Sequence, residues 1–211
     1  MNQPQPKAIS LVDFLSWEQQ QTDRYEWIDG TVVRCGGGSY EHATIISNLN
    51  AVFHSAAGTG PCFVQGSDRK LVPRDLNGHD LGSFYADIFV SCAAEDRKGN
   101  AAHLPALVIE VLSAHVGQEF THKKEAYLGS AQLLEYLIVD STRRYVVRYA
   151  WQTTANGGRR LLTAEYRHGP VAMSTLGLSA TFDTIYAGTN VSSILHPTLP
   201  YDEDEAEILR D

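Results

Sequence analysis

The sequence LPALVIEVLSAHVGQEFTHKKEAYL occupies residues 104–128 and joins an apolar run to a basic segment. The apolar run is typical of a buried strand, and residues 118–128 are typical of a helix. Glu110 stands inside the strand-like run, whereas Lys123 and Lys124 belong to the helix-like segment. An ionised carboxylate in apolar surroundings is costly unless it is paired or holds a metal. We therefore expect Glu110 to have a partner that balances its charge.

A second strand-like segment, FYADIFVSC, places Asp87 inside an apolar run. Because side chains alternate along a strand, neighbouring strands can bring Asp87 and Glu110 to one face of a sheet. Two carboxylates left alone would repel each other, and a divalent cation relieves that repulsion. Mg²⁺ is held by one or two carboxylates and keeps waters that a phosphate can replace. The helix after the Glu110 strand would bring Lys123 back over the strand ends. There its ammonium group would orient a water or neutralise charge on a phosphate.

Local signals on both sides of these strands indicate further helices and strands. Ser10 and Asp13 suit the start of one helix, and Ser39 suits the start of a second. The pair Asp29 and Gly30 predicts a hairpin turn. Later strands are predicted in LLEYLIVD, RYVVRYAWQ and RRLLTAEYR. We therefore expect an α+β fold, α/β/α-like, with a central mixed β-sheet flanked by helices.

The length of the chain fits one domain with short extensions. A chain of 211 residues can bury a single core, and the sequence shows no internal repeat and no long linker. Residues 1–9 are predicted to be a flexible N-terminal segment, 10–195 a single domain and 196–211 an acidic C-terminal tail. The pattern of residues 171–190 does not distinguish helix from strand.

Composition favours a folded protein and opposes nucleic-acid binding through bulk charge. Apolar residues make up 43% of the chain and charged residues 20%, which suits a packed core. The formal net charge of -8 works against a general attraction to phosphates. A local basic groove or a bound metal would reverse that field at one site.

The cysteines and the apolar pattern bear on the compartment. Cys35, Cys62 and Cys92 are far apart and form no CxxC pair, which argues against a disulfide scaffold or a zinc ribbon and favours a reducing compartment. The first residues show no signal-peptide pattern, and no stretch approaches the roughly 18 apolar residues of a membrane helix. We expect a cytoplasmic protein with no membrane partner.

The order of Asp87, Glu110 and a helical Lys resembles the PD-(D/E)XK superfamily of restriction-endonuclease-like proteins. More closely, the chain resembles the Uma-type family of bacterial endonucleases. This resemblance covers roughly residues 11–140 and continues more loosely to about 185. The segments that carry it are SLVDFLSW, RYEWIDGTVV, EHATIISNLNAVF, YADIFVSC, PALVIEVLS, HKKEAYLGSAQLLEYLIVD and GLSATFDTIY.

The resemblance implies a role for each residue of the catalytic set. Asp87 matches the metal-binding Asp of the superfamily, and Glu110 matches the acidic residue of the next strand. The superfamily Lys would stand two positions after Glu110, where this chain has Leu112. In the Uma-type family the Lys lies on the following helix, four residues before a Tyr. Lys123, four residues before Tyr127, fits that pattern.

Further residues receive supporting roles. By the same resemblance, Glu26 matches an acidic position near the end of the first helix that supports a metal, and His42 matches a histidine at the start of the second helix. Gln65 and Lys124 are candidates for positioning substrate, against the alternatives of a polar edge residue and a solvated lysine. The family usually has Pro before the metal-binding Asp, and Ala86 replaces it here; that Pro is not a ligand.

The resemblance implies a restriction-endonuclease-like core and an endonuclease that uses Mg²⁺ or Mn²⁺ to hydrolyse phosphodiester bonds, with DNA as the favoured substrate and a homodimer as the expected assembly. The carbonyl of Val111 would be a further metal ligand. One alternative is a non-catalytic nucleic-acid-binding or regulatory module of the same fold, and another is a hydrolase of small phosphoesters. A thiol hydrolase built on Cys35 and His42 lacks a third residue to orient the pair.

Overall fold

A computed structural model describes residues 9–58, 60–113 and 119–192 of the chain. The N-terminal segment before Ile9 and the acidic tail predicted at 196–211 lie outside these ranges. The helices are α1 (Leu11–Glu18), α2 (Tyr40–Ala57), α3 (Glu119–Leu128) and α4 (Phe182–Ile185). The strands are β1 (Tyr25–Ile28), β2 (Thr31–Arg34), β3 (Phe63–Gly66), β4 (Lys70–Leu71), β5 (Ile88–Ser91), β6 (Ala101–Ala102), β7 (Pro105–Leu112), β8 (Glu135–Asp140), β9 (Val146–Thr153), β10 (Arg159–Tyr166), β11 (Pro170–Met173) and β12 (Leu178–Thr181). No helix within these ranges has both the length and the apolar character required to cross a bilayer.

Six strands form the central sheet, in the order β10-β9-β8-β7-β5-β3. The strands β7 and β8 are parallel, and each of the other neighbouring pairs is antiparallel. Parallel neighbours need a crossover, and α3 lies between β7 and β8 along the chain. The predicted mixed sheet is therefore confirmed.

The two faces of the sheet pack against different elements. Ile109 and Val111 of β7 belong to an apolar core that also contains Ile45 and Leu49 of α2. Val108 points to the opposite face and belongs to a second core with Tyr127 of α3. Alternation along β7 places Glu110 on the same face as Val108. Helices thus cover both faces, and the acidic side chain of β7 faces α3.

The predicted helix starts and the predicted turn are confirmed. The side chain of Ser10 accepts a hydrogen bond from the backbone N–H of Asp13 at 3.2 Å, and Ser39 caps α2 in the same way through the N–H of His42 at 3.2 Å. Asp29 and Gly30 have φ values of 45° and 83° and join β1 to β2. Two left-handed residues are what a tight hairpin turn requires.

Two positions differ from the sequence prediction. Asp87 directly precedes β5 and does not lie inside the strand. Glu26 lies in β1, opposite Val33 of the hairpin, and not near the end of a helix. The helix α1 ends at Glu18, well before Glu26, because the aromatic-rich segment at 25–28 and the following turn favour a hairpin.

Residues 171–190, which the sequence left undecided, form the β11–β12 hairpin followed by α4. Val171 and Met173 of β11 and Phe182 of α4 join the apolar core on the α2 side. This segment therefore completes the cover over one face of the sheet.

Two cysteines form a disulfide, so the argument from sequence against disulfides was wrong at this pair. Cys62 and Cys92 are bonded, and Cys35 is free. The antiparallel pairing of β3 with β5 sets Phe63 opposite Ser91 and so brings the flanking cysteines together. A separation of 30 residues and the absence of a CxxC motif hid this contact in the sequence.

Candidate active site

The partner predicted for Glu110 is Lys123. Glu110 is buried in β7, with 7% of its surface exposed. Its Oε1 atom lies 3.0 Å from Nζ of Lys123 and accepts a hydrogen bond of 2.9 Å from the hydroxyl of Tyr127. Both partners come from α3, where a spacing of four residues places them on one side of the helix.

Lys123 bridges two carboxylates. Its ammonium group lies 3.0 Å from Oε1 of Glu110 and 3.0 Å from Oε1 of Glu26. The side chain is 14% exposed, and the ammonium also lies 5.8 Å from the centre of the Phe84 ring. A buried lysine between two carboxylates is held far more firmly than a surface lysine, because its charge has little access to water.

Glu26 is placed by the β1–β2 hairpin. Besides Lys123, its Oε1 atom accepts a hydrogen bond of 2.8 Å from the backbone N–H of Tyr85. The hairpin docks on the segment before β5 through hydrogen bonds between the backbones of Trp27 and Ser83, at 2.9 and 3.1 Å. Glu26 therefore reaches the site from a separate small sheet.

Asp87 is fixed between β7 and α2. Its Oδ2 atom accepts a hydrogen bond of 2.8 Å from the N–H of Val111, the residue after Glu110. The same oxygen lies 3.3 Å from Nε2 of His42, which stands in the first turn of α2. The structure thus brings Asp87, Glu110, Lys123, Glu26 and His42 into one cluster, called here the acidic cluster.

Burial and charge shift the protonation of this cluster. Burial, with help from Asp87 and Glu26 and against Lys123, raises the pKa of Glu110 to about 7. Burial lowers the pKa of Lys123, but Glu110 and Glu26 outweigh it and hold that pKa above its ordinary value. The hydrogen bond with Asp87 raises the pKa of His42, and burial opposes it. Lys123 is therefore a fixed cation, the pKa of Glu110 lies near neutrality, and the contact with Asp87 favours the protonated form of His42.

The donor set fits a hard cation at two carboxylates. The contacts above use Oδ2 of Asp87 and Oε1 of Glu110, so within the described part of the chain the other oxygen of each carboxylate remains for a ligand. Mg²⁺ needs only one or two carboxylates together with waters. Within the described ranges no three His, Cys, Asp or Glu side chains form a metal-binding group. Glu26 is turned toward Lys123 and Tyr85, and its role in supporting a metal stays a prediction.

Two predicted positioning residues do not contact the acidic cluster. Nζ of Lys124 lies 5.2 Å from the centre of the Tyr149 ring, and burial lowers the pKa of this lysine. Gln65 lies on β3 opposite Phe89, and no hydrogen bond within the described residues links its side chain to the cluster. Their proposed contact with substrate stays a prediction.

The free cysteine does not support thiol chemistry. Burial, and after it the neighbouring Glu26, raises the pKa of the Cys35 thiol to about 12. A thiol is nucleophilic as the thiolate, and this pKa keeps Cys35 protonated at neutral pH. The alternative of a thiol hydrolase built on Cys35 and His42 is therefore disfavoured.

Sequence reasoning used Tyr127 only for its spacing from Lys123 and missed its hydrogen bond to Glu110. It also missed a buried pair beside the site: Nζ of Lys70 lies 2.5 Å from Oε2 of Glu18, and the hydroxyl of Tyr85 donates to Oε1 of Glu18 at 2.7 Å. The spacing of Tyr127 four residues after Lys123 was a usable signal. Glu18 and Lys70 are 52 residues apart, and no local pattern connects them.

Comparison with known proteins places the chain in a family. Residues 11–183 match Uma2, described as "Putative restriction endonuclease". "Uncharacterized protein slr1290" of Synechocystis is 29% identical over 187 residues, which cover 88% of this chain and 94% of the relative. "Uncharacterized protein sll1609" of the same organism is 27% identical over 138 residues, which cover 64% of this chain and 76% of the relative.

A solved structure has a similar fold. It is the crystal structure titled as "a putative nuclease belonging to DUF820" from Anabaena variabilis, with a TM-score of 0.65. The match covers 85% of this chain and 98% of the other, at 16% identity, so it bears on the fold alone. The predicted restriction-endonuclease-like fold is confirmed. Because the family match spans most of the chain, the protein belongs to the Uma2 family, whose description is "Putative restriction endonuclease".

Proposed function

We propose that this protein is a metal-dependent endonuclease that hydrolyses phosphodiester bonds in nucleic acid. The observation that carries the proposal is the acidic cluster, in which Lys123 lies 3.0 Å from both Glu26 and Glu110. Asp87 is tied to the same strand as Glu110 by its hydrogen bond from Val111. Membership of a nuclease-like family supports the same reaction class.

Such a cluster is unlike one that serves stability alone. Buried ion pairs are rarely better for stability than well-packed apolar side chains, because each charge loses its hydration. Here three carboxylates face one lysine and one histidine. Strongly perturbed groups gathered in this way are typical of functional sites.

Asp87 and Glu110 would hold Mg²⁺ or Mn²⁺ through their remaining oxygens. A bound divalent ion supplies charge stabilisation at the phosphate and an activated water at neutral pH. For Glu110 to bind a cation it must lose its proton, and its raised pKa means that metal binding and proton release are linked. The carbonyl of Val111 stays a predicted further ligand.

Lys123 acts as a positive charge in this scheme and not as a base. Its raised pKa keeps the ammonium protonated throughout the neutral range. The ammonium can orient a water or neutralise charge on the reacting phosphate. His42 keeps Asp87 in place through the 3.3 Å contact between its Nε2 atom and Oδ2 of the carboxylate.

The test is cleavage of three substrates by the purified protein. Supercoiled plasmid, single-stranded DNA and RNA would each be incubated in Mg²⁺, in Mn²⁺ and in chelator. Asp87→Asn is the site variant, and Asp183→Asn is the matched control because Asp183 is 89% exposed and pairs with Arg144. We expect metal-dependent cleavage that Asp87→Asn abolishes and Asp183→Asn preserves.

The alternatives make different predictions in the same assay. A non-catalytic module of this fold would bind nucleic acid and cut none of the three substrates. A hydrolase of small phosphoesters would also cut none of the three. With a small phosphodiester as substrate it would keep its activity as salt rises, whereas a nucleic-acid enzyme loses affinity for its substrate steeply. Cleavage by Asp87→Asn at the wild-type rate would overturn the assignment of the site. The expected homodimer is measured separately, by light scattering.

A further inference from the structure

The disulfide between Cys62 and Cys92 lies at one end of β3, an edge strand of the central sheet. Cys62 directly precedes β3 and Cys92 directly follows β5, and the pairing of Phe63 with Ser91 sets the two cysteines opposite each other. Asp87 directly precedes β5, so the acidic cluster lies at the other end of that strand. The disulfide is therefore separate from the candidate active site.

The two cysteines differ in their access to solvent. Cys92 is exposed, whereas Cys62 is half-buried. Thiol–disulfide exchange begins when a thiolate attacks one sulfur of a disulfide, and its rate depends on access to that sulfur. An incoming thiol therefore reaches the sulfur of Cys92 more readily than that of Cys62.

A guanidinium group lies beside the less exposed cysteine. Arg97 donates a hydrogen bond of 3.0 Å to the carbonyl of Pro61, and its guanidinium carbon lies 4.6 Å from the centre of the Phe63 ring. Pro61 and Phe63 are the two chain neighbours of Cys62. A nearby arginine stabilises a thiolate, and a stabilised thiolate leaves a disulfide faster. The charge of Arg97 therefore favours Cys62 as the leaving group.

The backbone around the disulfide is held in place by other contacts as well. The carboxylate of Asp96 accepts a hydrogen bond of 2.7 Å from the hydroxyl of Ser91. It also accepts from the N–H groups of His103 and Leu104, at 2.8 and 2.9 Å. These bonds fix the turn after β5, and β3 is paired with β5 over four residues. The two thiols would therefore stay close together after reduction, and the disulfide can form again.

We propose that Cys92 is a modification site for a low-molecular-weight thiol, with which the Cys62–Cys92 disulfide exchanges in the folded protein. The thiolate of the small molecule attacks Sγ of Cys92 and forms a new S–S bond there. The bond between Cys62 and Cys92 breaks, and its electron pair leaves on Sγ of Cys62 as a thiolate beside Arg97. One disulfide replaces another, so the step needs no oxidant. Attack by the Cys62 thiolate on the mixed disulfide reverses the step and releases the small thiol.

An exchangeable disulfide is compatible with the reducing compartment that the sequence predicts. Disulfides in such compartments are usually transient, catalytic or redox-sensing. The exchange uses neither a metal nor a nucleic acid, so it does not depend on the proposed endonuclease function.

The test uses the folded wild-type protein, purified without reductant, with reduced glutathione as the probe. Thiols released over time are trapped with N-ethylmaleimide, and peptide mapping by mass spectrometry locates both adducts. We expect glutathione on Cys92 and the maleimide on Cys62. Cys35 should carry no glutathione, because burial raises its pKa to about 12 and keeps it protonated.

Three variants test the part played by the guanidinium group. Arg97→Gln removes the charge beside Cys62 and should slow the release of the Cys62 thiol about two- to fivefold. Arg97→Lys keeps a positive charge and should retain a rate close to that of the wild type. Lys98→Gln is the matched control, since Lys98 is the neighbouring exposed cation, and it should leave the rate unchanged. Circular dichroism checks that each variant is folded.

Four results would overturn parts of this assignment. Glutathione on Cys62 in place of Cys92 would show that the attacked sulfur is wrong. A disulfide that resists glutathione in native buffer and is reduced only in denaturant would overturn the exchange. Free thiols at both cysteines in protein purified without reductant would also overturn it. Equal rates for Arg97→Gln and Lys98→Gln would overturn the role of Arg97.

Discussion

Two lysines of this protein with little exposed surface differ in the balance of charge around them. Lys70 lies 2.5 Å from one carboxylate, Glu18, which also accepts from a tyrosine hydroxyl. Lys123 lies 3.0 Å from each of two carboxylates, and a third, Asp87, also acts on the pKa of Glu110. The first arrangement is balanced in charge, whereas the second has an excess of negative charge.

This difference separates a structural pair from a candidate catalytic cluster. A balanced pair needs nothing else, so Lys70 and Glu18 can be explained by folding alone. The excess of carboxylates around Lys123 leaves room for a cation, which the proposed chemistry requires. Tyr85 connects the two sites, because its hydroxyl donates to Glu18 and its N–H donates to Glu26.

The largest expected effect is on stability, at Lys70. Lys70→Met leaves Glu18 buried without its counter-charge, so the free energy of unfolding should fall by about 3–5 kcal/mol. Urea denaturation measures it, with Asp68→Asn as control, because Asp68 is 99% exposed in its pair with Arg24 and should matter little. Cleavage by the folded fraction of Lys70→Met should persist. A loss of cleavage without a loss of stability would erase the distinction between the two lysines.

The next effect is on catalysis, at Lys123. Lys123→Met should reduce the rate of metal-dependent cleavage per folded molecule about 10²–10³-fold, because it removes a charge aimed at the reacting phosphate. Lys98→Met is the control for the loss of one positive charge, since Lys98 is an exposed residue outside the cluster. Equal rates for the two variants would contradict the role given to Lys123.

The sequence was sufficient to predict the strands that carry the acidic cluster. It was insufficient to predict the tertiary contacts through which distant segments reach that cluster. Asp87 and Glu110 were recognisable because an acidic residue interrupts an apolar strand pattern. Lys123 was identified through the resemblance to the Uma-type family, in which a lysine stands four residues before a Tyr. The hairpin that delivers Glu26 was predicted, but its docking against the segment before β5 was not. That contact depends on tertiary packing between distant segments, which local patterns do not contain.

The disulfide was hidden for the same reason. Cys62 and Cys92 meet only because β3 and β5 pair.

The third prediction concerns the pH dependence of stability and tests the excess of negative charge around Lys123. The pKa of Glu110 is raised from 4.5 to about 7 in the folded protein, so the folded state holds this proton more tightly than the unfolded chain does. The contribution of this proton to the free energy of unfolding has its full value below about pH 4.5 and is lost as pH rises through about 7. The loss should be about 3 kcal/mol in metal-free protein.

Glu110→Gln removes that titration. The difference in unfolding free energy between wild type and Glu110→Gln, measured in chelator from pH 4 to pH 8, should therefore shift in favour of the variant as pH rises. Glu165→Gln, on the exposed part of β10, is a control for a general loss of negative charge. A difference that does not change with pH would mean that Glu110 is not protonated near neutrality in the folded state.

The smallest expected effect concerns the glycines before α2, where one position touches the cluster and its neighbour does not. A methyl group at Gly38 would lie 2.8 Å from Cγ of His42, whereas one at Gly37 would meet nothing within 4 Å. Gly38→Ala should push the imidazole away from Asp87 and reduce cleavage about tenfold, the equivalent of one hydrogen bond. Gly37→Ala should leave cleavage unchanged.

The pKa of His42, followed by NMR, distinguishes displacement of the imidazole from a general loss of structure, because the contact with Asp87 holds that pKa above its ordinary value. In Gly38→Ala the pKa should fall toward 6.5 while the fold persists, and an unchanged pKa together with reduced cleavage would show that the loss does not arise from the His42–Asp87 contact.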